Sequence, residues 1–172
     1  MVDKNNVQKV LEFFFDNPTR SVYLRELSRE MKLSMPAIIA SVQKLSSEEL
    51  VSINKEKALT IIKSNVNSTK FIRLKRVSNL EKLYASGLVD VLQKTFKNPQ
   101  VIICFGSYSR GEDTEQSDID VGIIGSKETD VDLSNFETFL NRPISLHIID
   151  VLRASKEFKS NLCNGIVLEG AL

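Results

Sequence analysis

Two apolar runs joined through a glycine–serine turn constrain this chain more than any other feature. Val101-Ile102-Ile103-Cys104-Phe105 reads as a buried strand, and Gly106-Ser107-Tyr108-Ser109-Arg110-Gly111 follows it directly. After a short polar gap, Ser117-Asp118-Ile119-Asp120-Val121 opens a second strand. Strand residues two apart point to the same face. Asp118 and Asp120 are therefore expected to aim side by side at one point. Two neighbouring carboxylates repel without a cation, so the pair predicts a divalent-metal clamp.

The turn supplies the other half of a site. Ser107 to Arg110 is expected to start a helix, and free backbone N–H groups at a helix start attract phosphate. Gly106 lets the backbone come close. The Ser107 hydroxyl can donate to a phosphate oxygen, and Arg110 adds charge. A phosphate cradle facing a metal clamp describes a nucleoside triphosphate site.

Gly106-Ser107, Arg110-Gly111 and Ser117-Asp118-Ile119-Asp120, with ten residues between Ser107 and Asp118, resemble the signature of the polymerase-beta-like nucleotidyltransferase superfamily in its minimal branch. The resemblance covers roughly residues 85–172. It implies a short mixed β-sheet backed by helices, with Asp118 and Asp120 catalytic and metal-binding and Gly106, Ser107 and Arg110 on the nucleotide. It implies Mg²⁺ (or Mn²⁺) as cofactor and an NTP, ATP above all, as substrate. A nucleoside monophosphate would pass to an acceptor hydroxyl on a protein, a tRNA end or a small molecule. In paired toxin–antitoxin systems members modify a helical partner protein, so the resemblance extends to such a partner.

The family also implies a third carboxylate on a later strand, and the candidate strand is Pro143-Ile144-Ser145-Leu146-His147-Ile148-Ile149-Asp150. Ile144, Leu146 and Ile148 alternate and are expected to face the core. Ser145 and His147 then share the face of the two aspartates as auxiliary residues. Ser145 stands where the third acid would sit. Its loss should weaken activation of the attacking hydroxyl more than binding of the Mg²⁺–nucleotide, because Mg²⁺ often takes only one or two protein carboxylates. Asp150 has the wrong parity unless the strand bulges. Glu112, Asp113 and Glu115 read as a solvated loop, and Phe136, Phe139 and Leu140 as the core face of a helix.

The N-terminal part follows other periods. Val7, Val10, Leu11, Phe14 and Phe15 have helical spacing, ended by Asn17-Pro18. Leu24, Leu27 and Met31 mark a second helix entered near Ser21. Ser34 is the expected N-cap of a third, with Pro36 in its first turn and Ile38, Ile39, Val42 and Leu45 facing the core. Leu50-Val51-Ser52-Ile53 and Ala58-Leu59-Thr60-Ile61-Ile62 read as two strands. Three helices and a two-stranded wing resemble a winged helix-turn-helix domain of prokaryotic and archaeal transcriptional regulators. In that family the third helix enters the major groove of double-stranded DNA. The resemblance nominates Ser34, Met35, Ala37, Ser41 and Lys44 as exposed DNA-facing residues, with Lys55 and Lys57 on the wing. A winged helix that serves only for protein docking or dimerisation is the alternative. A DNA-binding regulator with a weakened, nucleotide-sensing transferase domain is the alternative for the whole chain.

The expected organisation is α+β: a winged helix over 1–65, a helical connector over 66–86 and a minimal nucleotidyltransferase domain over 87–172. Phe71, Leu74, Val77, Leu80, Tyr84, Leu88, Val91 and Phe96 keep a helical rhythm interrupted by Gly87, and the part before Gly87 is a connector or a homodimerisation helix. The net charge of +1 conceals +2 over residues 1–65, +5 over 66–98 and −6 over 99–172. The basic middle, with Lys70, Arg73, Lys75 and Arg76, suits nucleic acid, an acidic protein surface or plain solvation. Two cysteines, Cys104 and Cys163, make neither a disulfide framework nor a zinc site. No apolar run reaches membrane-span length and no signal-peptide pattern is present, so a cytoplasmic setting is expected.

Overall fold

Ser34, Gly87 and Gly111 stand at element boundaries. A computed structural model describes residues 4–56 and 59–171. The chain divides between Lys75 and Arg76 into two compact units.

The first unit runs α1 (Lys4–Asp16), β1 (Ser21–Tyr23), α2 (Leu24–Met31), α3 (Met35–Ser47), β2 (Val51–Glu56) and β3 (Leu59–Ser64). Its sheet has the order β1-β3-β2, antiparallel throughout. Ser21–Tyr23 is thus a strand rather than a helix entrance: Val22 pairs with Ile62 and enters the core, and α2 starts at Leu24. The apolar faces of α1, α2 and α3 close on Val22, Leu50, Val51 and Ile62, joined by Phe71. Phe15 and Phe71 meet edge to face at 5.1 Å, a favoured ring geometry. Ser34 caps α3 by accepting the Ala37 N–H, and Pro36 occupies the first turn, where no backbone donor is needed.

Helix α4 (Thr69–Ala85) runs through the division of the units. Gly87, at φ +76°, then separates it from α5 (Leu88–Thr95). Val77 is 63 % exposed, so α4 buries only part of its apolar series. The second unit continues through β4 (Val101–Phe105), α6 (Gly106–Arg110), β5 (Ile119–Ile124), α7 (Ser134–Leu140), β6 (Ile144–Ile149), α8 (Lys156–Cys163) and β7 (Ile166–Gly170). Its four-stranded sheet has the order β6-β5-β4-β7, with β5 and β6 parallel and the other pairs antiparallel. A mixed sheet backed by helices is what the sequence led us to expect.

Both sheet faces are covered. Ile102, Cys104, Val121 and Ile123 pack with Leu88, Leu92 and Phe96 of α5 and Leu140 of α7. Val101, Ile103, Phe105 and Ile149 turn the other way, toward Phe158 and Leu162 of α8. Two-sided cover explains the continuous apolar run of β4. Ile148 departs from expectation: it is 36 % exposed, because β6 is an edge strand and Ile148 lies near its end. Phe139 is likewise exposed at 61 %, while Leu140 takes the core position of α7. Among the described residues, no helix is long and apolar enough to cross a membrane.

Candidate active site

The site forms where β4 ends and β5 begins. Phe105 pairs with Asp120 across the antiparallel ladder, which brings the turn after Phe105 against the Asp120 side chain. Gly106 adopts φ +74°, and a Cβ there would fall 2.3 Å from Asp120 Oδ2. Only glycine fits, for two reasons: the left-handed backbone and the carboxylate against it. Gly106→Ala should therefore cost about 1–2 kcal/mol in backbone strain alone and push the Asp120 carboxylate aside. Urea unfolding checks the first effect, and a crystal structure of the variant the second.

Strand β6 completes the site from the other side. In the parallel register Asp120 lies opposite Ser145 and Gly122 opposite His147. Ser145 Oγ donates to Asp118 Oδ2 at 2.6 Å, and His147 Nε2 lies 3.0 Å from Asp120 Oδ1. Asp118, Asp120, Ser145 and His147 therefore gather on one sheet face, as the two-residue period predicts. The His147 ring packs at 5.2 Å from the Phe105 ring and 6.4 Å from that of Phe158. On its outer side a cleft of about 480 Å³ is lined by His147, Ile148, Arg153 and Phe158 among others.

Other candidates stand apart. Ser107 is the second residue of α6, next to Gly106. Arg110, the last residue of that helix, bonds through Nε to Glu112 Oε2 at 2.8 Å. Asp150 accepts the Leu152 N–H and pairs with Arg153 in the turn after β6, so it adds no acid to the aspartates. Among the described residues, no group of three His, Cys, Asp or Glu side chains is placed to hold one metal ion. The donor set is the Asp118–Asp120 pair, which fits a hard divalent cation that takes its remaining ligands from phosphate and water.

Asp113 corrects the reading of its loop as solvated. It is 2 % exposed and accepts from Asn79 Nδ2 at 2.8 Å, and Arg142 Nη2 lies 4.0 Å away. Asn79 also donates to the Tyr108 carbonyl at 2.9 Å. This buried network ties α4, the end of α6 and the β6 approach together. Sequence reasoning missed Asn79 and Arg142 altogether. A polar series interrupted by one buried acid has no local signature, because its partner comes from a distant segment.

Cys104 lies in the core on the opposite sheet face. Burial, and then the negative charges of Asp120 and Asp113, push its thiol up to about 12. The thiolate is the reactive form and is absent well below that value. Iodoacetamide at pH 8 should thus modify exposed Cys163 and spare Cys104 until the fold is unfolded. Peptide mass spectrometry reads the difference.

In the first unit the DNA-facing candidates fare unevenly. Ser34 and Lys44 are exposed, while Met35 and Ala37 are partly so. Lys44 pairs with Glu48 Oε1 at 2.9 Å, and Lys70 reaches the other oxygen at 2.8 Å. These two lysines, Lys70 first, hold the Glu48 carboxyl below its ordinary range. Ser41 is a correction: it is 0 % exposed, because it shares the buried stripe of Ile38, Val42 and Leu45 at helical spacing. Lys55 is exposed on β2, and Lys57 lies outside the described residues. Arg25 was not foreseen; with Tyr23, Met35 and Leu59 it lines a cleft of about 340 Å³.

No curated protein matches the chain. A solved structure titled "Possible transcriptional regulator from Methanosarcina mazei Go1" is similar at 24 % identity over 54 % of this chain and 78 % of its own, with a TM-score of 0.34. From residue 85 to residue 169, the span that holds Gly106, Asp118, Asp120, Ser145 and His147, the chain matches the family of nucleotidyltransferase domains.

Proposed function

We propose that the second unit is a Mg²⁺-dependent nucleotidyltransferase that moves a nucleoside monophosphate from an NTP, ATP first among them, to an acceptor hydroxyl. The observation that carries the reading is the placement of Asp120 against Gly106, with Asp118 on the same sheet face. Asp118 and Asp120 would hold the divalent cation. That ion supplies positive charge to the phosphate oxygens, through Mg²⁺ or Mn²⁺ alike. Gly106 admits the triphosphate close to the backbone, and the Ser107 hydroxyl donates to it. Arg110 adds charge once it exchanges Glu112 for phosphate. The acceptor oxygen would bond to the α-phosphorus as the bond to pyrophosphate breaks in line, with the hydroxyl proton passing to water.

Calorimetric titration of ATP with and without Mg²⁺, followed by incubation with α-labelled ATP, tests this. Mg²⁺-dependent binding and retention of the label on a hydroxyl acceptor are expected. A chain that binds no nucleotide in the presence of Mg²⁺ ends the proposal.

Ser145 favours a second reading. With a hydroxyl instead of a carboxylate bonded to Asp118, the domain would bind nucleotide without transferring it and act as a sensor. Binding without label transfer would select that reading. Under both readings the first unit would meet double-stranded DNA through Ser34, Met35 and Ala37 at the start of α3, Lys44 in its last turn and Lys55 of β2. Exposed cations support this, since phosphate contacts supply most non-specific affinity. Gel-shift retention should fall with salt and with Lys44→Ala, and indifference to both would remove DNA from the account.

A further inference from the structure

Strand β6 meets the aspartates in a repeating pattern. Each polar side chain reaches diagonally to the residue two before its register partner. Ser145, opposite Asp120, bonds to Asp118; His147, opposite Gly122, bonds to Asp120. An ionised carboxylate only accepts, so an ionised Asp120 pairs with an imidazole that carries a hydrogen on Nε2. The Phe105 and Phe158 rings lie beside the imidazole. One oxygen of each carboxylate is thereby bound to β6. Among the described residues, no group of three His, Cys, Asp or Glu side chains is placed to hold one metal ion.

We propose that Ser145 and His147 form a two-rung brace that makes this a one-cation site. They are positioning residues: they act through Asp118 and Asp120, without touching the nucleotide. Two like charges on one strand face would otherwise splay apart, and the donors hold them in a shared orientation before a cation arrives. A site with a third carboxylate at the Ser145 register would instead offer ligands for a second ion. The inference rests on the nucleotidyl-transfer reading above, and it concerns how many ions that site takes and what orients their ligands.

Electron paramagnetic resonance of Mn²⁺ bound to the full chain with α,β-methylene-ATP separates the two ideas. The expected result is one Mn²⁺ per chain. Ser145→Ala and His147→Leu should each weaken Mn²⁺ binding about tenfold, the worth of one hydrogen bond to a charged group. His147→Gln keeps an amide donor and should stay within about threefold of the native affinity. Two Mn²⁺ per chain, native affinity in both Ser145→Ala and His147→Leu, or equal losses in His147→Gln and His147→Leu would each overturn the brace and leave nucleotidyl transfer standing. A native chain that binds no Mn²⁺–nucleotide overturns both.

Discussion

Asp118→Asn and Asp120→Asn should each reduce Mg²⁺-dependent nucleotide binding or transfer by about 100-fold, equal to about 2.7 kcal/mol. Asparagine keeps the size of aspartate and an oxygen that accepts from Ser145 or His147. What it removes is the negative charge. The folded state should tolerate the change, since it also relieves repulsion between the two carboxylates. A thermal midpoint at or above the native one, beside a collapsed Mg²⁺–ATP titration, is the expected pair of results. Native affinity in both variants would take the aspartates out of the site.

The largest expected effect on stability belongs to Asp113→Ala, at about 3–5 kcal/mol in urea unfolding. The side chains of Asp113 and Arg142 are 1 % and 4 % exposed, so removing the acid takes a buried carboxylate from beside the guanidinium. The Asn79 amide loses an acceptor at the same time. Asn79 holds the Tyr108 carbonyl too, so the strain should reach the helix that follows Gly106. Nucleotide affinity should fall with stability, in contrast to the aspartate variants. A loss below about 1 kcal/mol would show that water replaces the acid without penalty.

The candidate site was legible in the sequence because strands alternate. Once Gly106 ended one strand and Asp118 opened the next, period two placed Asp120, Ser145 and His147 on one face, and the register agrees. Packing was less legible. Ser41 sits three residues after Ile38 and one before Val42, so its helical position predicted burial where its polarity suggested water. Asp113 is buried by Arg142 and Asn79, neither near it in the chain. The strand Ser21–Tyr23 exists because Ile61, Ile62 and Lys63 offer it a ladder, a long-range fact that three residues cannot announce. Ile148 kept the right parity, yet it lies on a strand with a neighbour on one side only.

The last strand, β7, is short, and it shields one flank of β4, whose five residues are all buried. A protease that trimmed the chain back past Ile166 would bare the hydrogen-bonding edge of Val101–Phe105, an apolar ribbon with no charge or proline to discourage a second ribbon from joining it. The loss of that one strand would then be felt as clumping of whole molecules.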